Sequence, residues 1–89
     1  MANLYLIDRP FGQTALELAK ADPDASVVLI QDGVYLGLSP SAPVGTRVYA
    51  IVNDVTKRGL SGRLSENVQL IDYGKLVDLI FENKVVNFA

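Results

Sequence analysis

The side chains that could do chemistry lie where the apolar runs of the sequence end. If these runs are parallel strands, the polar residues that follow them gather at the carboxyl edge of one sheet, where open α/β sheets bind ligands. Carboxylates at such an edge suit a magnesium or phosphoacceptor pocket. The interpretation that we favour is simpler, because each helix that follows a strand needs a capping acceptor at its start. The residues concerned are Asp8, Gln31 with Asp32, Asn53 with Asp54, and Asp72.

A second candidate is the segment Gly59-Leu60-Ser61-Gly62, which has the spacing of the loop that holds nucleotide backbones in KH domains. It follows the end of a predicted helix, so Gly59 is better interpreted as a left-handed cap and Gly62 as a turn residue. The formal net charge of -2 also argues against a phosphate ligand. We therefore predict no direct contact with nucleic acid, and the flanking Arg58 and Arg63 could serve a protein partner.

The residue types that are missing exclude more chemistry than those that are present. The chain has neither cysteine nor histidine. It therefore lacks disulfides, thiolate nucleophiles, zinc sites of the Cys/His kind and the usual general base at neutral pH. A serine hydrolase is excluded by the same absence, and no glycine-rich phosphate loop of a common pattern is present. We predict that the protein is not an enzyme and has no catalytic residues, metal site or cofactor.

The length of 89 residues predicts one small domain over residues 1–89. Hydrophobic residues make up 49% of the chain and charged residues 20%, a globular composition that is rich in apolar side chains for so small a surface. A partner subunit could cover part of that surface. No apolar run is long enough to cross a bilayer and the N-terminus does not read as a signal peptide, so we predict a cytoplasmic protein without membrane contact.

Strand patterns alternate with helical patterns along the chain. The apolar runs are continuous and rich in β-branched residues, which is typical of parallel strands covered on both faces. We predict an α/β fold, a three-layer α/β/α arrangement with a central, mostly parallel sheet of four to five strands. The predicted strands are Leu4–Ile7, Ser26–Gln31, Thr46–Val52 and Val68–Ile71, with Lys84–Phe88 as a fifth at the edge.

The helices are predicted between these strands. The first covers Gln13–Ala21, a short one covers Gly33–Leu38, and a prolyl loop follows at Ser39–Pro43. The third begins at Asn53-Asp54 and ends at Arg58, with an i, i+4 pair of Asp54 and Arg58. The last helix is capped by Asp72 and has a predicted apolar face of Tyr73, Leu76, Val77 and Ile80.

Five blocks of sequence, taken in order and spacing, resemble one known family. They are Leu29–Val34 (LIQDGV), Val48–Ile51 (VYAI), Asn53-Asp54, Arg58–Gly62 (RGLSG) and Leu70–Tyr73 (LIDY) with Leu76-Val77. In these blocks the chain resembles the DsrH/TusB family of sulfur-relay subunits. The resemblance covers a little over half of the chain, and it implies the DsrEFH-like form of the three-layer fold.

The resemblance also implies a function and partners. In that family, three related small α/β proteins form a heterohexamer that passes persulfide sulfur, either for 2-thiolation of the tRNA wobble uridine or for sulfur oxidation. The sulfur-bearing cysteine belongs principally to the DsrE/TusD-like sister, and some DsrH-type members have one of their own. This chain has none, so it cannot carry a persulfide itself. The implied role is a non-catalytic subunit beside DsrE/TusD-like and DsrF/TusC-like sisters.

A different class of function remains open, namely a free-standing homodimeric domain that binds a small ligand or regulates through the carboxyl edge of the sheet. In either case we expect partner contact through two segments, Gln31–Leu36 and Arg58–Leu64, which we call the edge surface. Tyr35 and Leu36 follow Gly33 and are either contact residues or packed under their own short helix. The candidate residues are Gln31, Asp32, Gly33, Tyr35, Leu36, Arg58, Gly59, Leu60 and Arg63.

Overall fold

A computed structural model of the chain describes residues 2–8, 12–38 and 47–88. Its centre is a five-stranded sheet in the order β4-β3-β2-β1-β5, and every pair of neighbouring strands is parallel. The strands are β1 (Asn3–Ile7), β2 (Ser26–Leu29), β3 (Arg47–Ile51), β4 (Val68–Ile71) and β5 (Lys84–Phe88). The predicted mostly parallel central sheet is confirmed, including the edge position of β5.

Helices cover both faces of this sheet. They are α1 (Gly12–Lys20), a 3-10 helix (Gln31–Gly37), α2 (Val52–Lys57) and α3 (Tyr73–Glu82). The first three pack on one face, where Leu16 of α1, Val34 of the 3-10 helix and Val55 of α2 join one core cluster. On the other face α3 runs from β4 at one edge to β5 at the other, so the helices and the sheet make the three predicted layers.

The central strand β2 shows why the sheet needs both layers of helices. All four of its residues are buried, and its side chains alternate between the two core clusters. Val27 and Leu29 face α1 and the 3-10 helix, whereas Val28 faces α3. Its apolar residues are continuous because helices cover both of its faces, as expected for a central parallel strand.

The predicted apolar face of α3 is largely wrong. Leu79 is 6% exposed and Leu76 is half-buried, and these two residues face the sheet. Tyr73, Val77 and Ile80 are 53%, 48% and 37% exposed. The reason is that apolar residues occupy a little more than half of the circumference of this helix, so their spacing does not define one narrow face. The rotation of α3 is instead set by its one-residue connection to β4 and by its path across the sheet to β5.

The predicted helix caps have mixed outcomes. The Oδ1 atom of Asp72 accepts a hydrogen bond from the backbone N–H of Lys75 at 2.8 Å, so the predicted cap of α3 is confirmed. The predicted cap at Asn53-Asp54 is wrong, because α2 begins at Val52 and Ile51 occupies the cap position without a side-chain bond. Strand β3 passes directly into α2, which places the carboxylate of Asp54 inside the first turn.

Asp22, in the turn between α1 and β2, anchors the start of β1. The Asp22 carboxylate accepts hydrogen bonds from the side-chain amide of Asn3 at 2.7 Å and from the backbone N–H of Asp24 at 3.0 Å. The bond from Asn3 is the largest cause that holds the pKa of Asp22 below its ordinary value of 3.8. Asp22 thus ties the first residue of β1 to a turn that lies 19 residues further along the chain.

This contact predicts a pH dependence of stability. The carboxyl group of Asp22 takes up its proton at higher pH in the unfolded chain than in the folded one, so acid favours the unfolded state. The contribution is present above pH 3.8 and is lost as the pH falls through the lower folded pKa. We expect urea unfolding to show a shallower loss of stability in this range for Asp22→Asn than for the wild type. If the free energy of unfolding falls equally with pH in the two proteins, Asp22 is not the source of this dependence.

Within the described ranges, no helix combines the length and the apolar content that a bilayer crossing requires, and α3 has ten residues. The predicted loop at Ser39–Pro43 and the predicted first residue of β3, Thr46, lie outside the described residues.

Candidate functional site

A cluster of charged side chains lies at the carboxyl edge of the sheet, where β2 and β3 end. Arg58 joins its parts. The Nε and Nη2 atoms of Arg58 each lie 2.9 Å from Oδ1 of Asp32. Its Nη1 atom donates to the backbone carbonyl of Asp54 at 3.1 Å and lies 3.6 Å from the Asp54 carboxylate. The predicted pairing of Asp54 with Arg58 is confirmed, and the guanidinium also links α2 to the 3-10 helix.

The same cluster holds an unusual turn of the backbone. Oδ2 of Asp54 accepts a hydrogen bond at 2.8 Å from the backbone N–H of Gln31, 23 residues earlier in the chain. Gln31 has a φ of +49°, a left-handed conformation that is uncommon for a residue with a side chain. A bond from a backbone amide to a carboxylate is stronger than one between neutral groups, so Asp54, which is 7% exposed, stabilises this turn.

Gly33 is required by a close approach of two backbone segments. A Cβ atom at this position would lie 2.2 Å from the carbonyl oxygen of Ile7, which no rotation of a side chain can relieve. That carbonyl accepts the N–H of Ile30 at 3.0 Å, and the carbonyl of Ile30 accepts the N–H of Gly33 at 2.8 Å. The start of the 3-10 helix is therefore seated directly on the end of β1.

The two segments of the edge surface lie side by side. Besides the contact of Arg58 with Asp32, the backbone of Leu38, two residues beyond the first segment, forms an antiparallel bridge with Leu64. The residues that directly follow the two segments are also joined, because the N–H of Ser65 donates to the carbonyl of Gly37 at 2.9 Å. The structure thus brings together the residues that the sequence analysis assigned to one surface, and their role in partner binding stays a prediction.

Within the edge surface, exposed polar residues lie over buried supports. Gly33 and Leu60 are buried, and Leu60 belongs to the core cluster on this face of the sheet. Tyr35 and Leu36 are half-buried and pack against the same cluster, so each has a core side and an accessible side. Gly59 has a φ of +66°, which confirms its predicted left-handed conformation. Of the nine candidate residues, the exposed ones are Gln31, Asp32, Gly59 and Arg63, and Arg58 is half-buried.

The carboxylates at this edge are arranged differently from both interpretations of the sequence, the magnesium or phosphoacceptor pocket and the set of helix caps. Asp72 caps a helix, but Asp32 and Asp54 both approach the guanidinium of Arg58. Over residues 2–8, 12–38 and 47–88, no three acidic side chains are placed to hold a metal ion together. The positive charge that lies between Asp32 and Asp54 is therefore the guanidinium of Arg58.

An open cleft beside the cluster was not foreseen from the sequence. It has a volume of about 470 Å³ and lies between α2 and the first residue of α3. Asn53 and Asp54 were predicted to lie at the ligand-binding edge of the sheet, but Thr56, Lys57 and Tyr73 were not, although positions 53, 56 and 57 share one face of a helix and could have indicated the cleft. The lining residues are Asn53, Asp54, Thr56, Lys57 and Tyr73.

The fold and this edge define the class of protein: a small α/β/α domain with an all-parallel sheet whose carboxyl edge bears a rigid polar surface. Two solved structures share the fold. The ychN protein from E. coli has a TM-score of 0.77 over 99% of both chains, at 16% identity. The Tm0979 protein from Thermotoga maritima has a TM-score of 0.64 at 30% identity, over 90% of this chain and 92% of its own.

The sequence comparisons agree with this class and make it specific. The family described as DsrH like protein matches residues 10–86. Protein TusB from Photorhabdus laumondii is 38% identical over 68 residues, which are 70% of this chain and 68% of that protein. Protein TusB from Yersinia pestis is 33% identical over 75 residues, 78% and 77% of the two chains. The chain belongs to the DsrH family, and the resemblance found in its five sequence blocks is confirmed.

Proposed function

We propose that this protein is a non-catalytic subunit of a sulfur-relay complex that serves 2-thiolation of the tRNA wobble uridine. Its membership of the DsrH family and its similarity to proteins named TusB support this role. The observation that carries the non-catalytic part is the absence of cysteine from all 89 residues. A persulfide needs a thiol, so the sulfur is carried by cysteine-bearing DsrE/TusD-like sisters, with a DsrF/TusC-like sister completing the complex.

The edge surface suits such a supporting role. Its backbone is fixed by Gly33 against β1 and by Asp54 against Gln31, so it can dock with little loss of conformational entropy. Arg63 is exposed on this surface, and Lys57 is exposed beside it. A cation held near a partner's cysteine favours the thiolate, which is the form that accepts and passes sulfur. We propose that the edge surface contacts the sister subunit in this way.

Co-purification tests the assembly. A tagged copy of this protein, isolated from its host under gentle conditions, should recover a cysteine-bearing sister in a stable complex. The variant Arg63→Glu should weaken that complex about tenfold, because it reverses a charge at the contact. Lys20→Glu, an exposed change at the end of α1, is the matched control and should bind like the wild type. Recovery of this chain alone, with no sister, would refute the proposal.

Thiolation in the host tests the pathway. Deleting the gene should remove most 2-thiouridine from the wobble position of the affected tRNAs, and the wild-type gene should restore it. Mass spectrometry of digested tRNA gives the readout. Unchanged thiolation together with impaired sulfur oxidation would assign the subunit to the other pathway and contradict the tRNA role.

A further inference from the structure

The neighbouring strands β3 and β4 are followed by helices on opposite faces of the sheet. After β3, α2 packs on one face through Val55, whereas after β4, α3 packs on the other face through Leu79. Within the described residues, β1, β2 and β3 are all followed by helices on the same face. In open α/β sheets, ligands bind in the crevice at the carboxyl ends of two strands where the connections switch faces. A ligand site is therefore expected between the ends of β3 and β4.

The open cleft between α2 and α3 lies at this position. Its wall includes Asn53, Thr56 and Lys57 from α2 and Tyr73, the first residue of α3. Its volume of about 470 Å³ falls within the range of about 300 to 1,000 Å³ that is usual for small-molecule sites. The path of the chain and the shape of the surface therefore indicate the same place for a small ligand.

The charges around the cleft favour an anion. Lys57 is exposed in the last turn of α2 and forms no ion pair with another described residue. The carboxylate of Asp54 also lines the cleft, but it is buried, accepts the N–H of Gln31 and approaches the guanidinium of Arg58. The carboxylate of Asp72 caps α3 and does not line the cleft. The ammonium of Lys57 is therefore the charge that a ligand in the cleft would meet.

Tyr73 adds an aromatic ring to this polar wall. The residue is 53% exposed, and over the described part of the chain its ring stacks on no other ring. Stacking of a second ring on it would contribute about 0.5 to 1.5 kcal/mol beyond the burial of area. Asn53 and Thr56 are exposed as well, and their amide and hydroxyl groups can donate to the oxygens of an anion. The wall thus combines a cation, hydrogen-bond donors and a ring.

We infer that the cleft binds a small organic anion that carries an aromatic ring. Lys57 contacts the anionic group, Tyr73 stacks on the ring, and the polar side chains of α2 complete the contacts to the anion. Phosphate and carboxylate head groups share this chemistry. The site is formed by this chain alone and lies beside the edge surface, so the inference goes beyond the sulfur-relay role and does not depend on it.

NMR titration of the isolated, nitrogen-15-labelled protein tests the site. Phenyl phosphate or phenylacetate should shift the backbone amides of the lining residues with saturation and a dissociation constant of about 1 mM or lower, and the tighter of the two identifies the head group. Inorganic phosphate, which lacks the ring, and phenol, which lacks the charge, should each bind at least tenfold more weakly. The inference is overturned if neither ringed anion saturates the shifts, or if the probes without ring or charge bind equally well.

Lys57→Gln tests the role of the cation. It should weaken binding of phenyl phosphate at least tenfold, because it removes the charge that pairs with the anion and keeps a polar side chain. Lys20→Gln is the matched control, since Lys20 is also exposed and also lies in the last turn of its helix. It removes the same charge from the protein and should bind like the wild type. Equal effects of the two variants would show that Lys57 makes no specific contact with the anion.

The role of Tyr73 is tested by comparing two probes. Tyr73→Ala should weaken phenyl phosphate about fivefold and leave inorganic phosphate unchanged, because only the first probe has a ring to stack. Tyr73→Phe keeps the ring and should bind both probes like the wild type. If Tyr73→Ala weakens both probes equally, or neither, the ring is not a ligand contact and the assigned class of ligand is wrong.

The same variants separate this inference from the proposed function. Tyr73→Ala should still recover the cysteine-bearing sister in co-purification, because Tyr73 is not part of the edge surface. Arg63→Glu, which is expected to weaken the complex with the sister, should still bind phenyl phosphate. A wild type that recovers the sister but binds neither ringed anion would refute the ligand site and leave the sulfur-relay role standing.

Discussion

Replacing Gly33 with alanine should lower the free energy of unfolding by about 3 kcal/mol, because the new Cβ atom has no space. It would lie 2.2 Å from the carbonyl oxygen of Ile7 and 3.1 Å from the Cα atom of Asp8, so backbone would have to move against backbone. The carbonyl of Ile7 also bonds to Ile30, and a shift there would disturb the end of β2. Urea unfolding followed by circular dichroism gives the measurement.

Gly62 supplies the matched control for this substitution. A Cβ atom at Gly62 would meet no atom within 4 Å, and the glycine lies in an exposed turn. Gly62→Ala should therefore leave the free energy of unfolding within about 0.5 kcal/mol of the wild type. Similar stabilities for the two variants would mean that Gly33 is not held against β1 as described.

Replacing Asp54 with alanine should destabilise the protein by about 2 kcal/mol. It removes the acceptor for the N–H of Gln31 and leaves that residue in a left-handed conformation without its stabilising bond. It also takes away one of the two carboxylates that approach Arg58. Because Asp54 is buried, water cannot easily replace the lost acceptor. Denaturant unfolding measures the loss.

Two companion variants distinguish the buried bond to Gln31 from the exposed ion pair with Arg58. Asp54→Asn keeps an oxygen that can accept from Gln31, so it should lose less stability than Asp54→Ala. Asp32→Ala removes the more exposed carboxylate, whose side chain is 57% exposed, and should cost less than about 1 kcal/mol. If Asp32→Ala proves as damaging as Asp54→Ala, the cluster is held together by the exposed ion pair rather than by the bond to Gln31.

Much of the fold follows from the sequence because local pattern and tertiary environment agree. The continuous apolar residues of β2 are buried on both faces of the sheet, as such a pattern predicts. Asp72 caps α3 and Gly59 adopts a positive φ, since both outcomes depend on the immediate backbone alone. The five blocks that resemble the DsrH family contain the residues of the polar cluster, namely Gln31, Asp32, Asp54 and Arg58.

What the sequence did not predict depends on contacts between distant residues. Strand β2 was predicted to reach Gln31, but it ends at Leu29 because the carboxylate of Asp54 holds the N–H of Gln31 in a turn. Asp54 makes this contact from inside the first turn of α2, which begins at Val52. The rotation of α3 was missed for a related reason, since the path from β4 to β5 decides which apolar residues meet the sheet. These are cases in which tertiary structure overrides local preference.

The most direct test of the central claim is to find where sulfur resides in the purified complex. The assembled sister subunits and this protein would be incubated with a persulfide donor, and each chain would be weighed intact by mass spectrometry before and after reduction. We predict a reducible gain of one sulfur atom on the cysteine-bearing sister, no gain on this chain, and slower transfer when this chain is left out. A covalently held sulfur on this chain, or transfer at the full rate without it, would contradict the account.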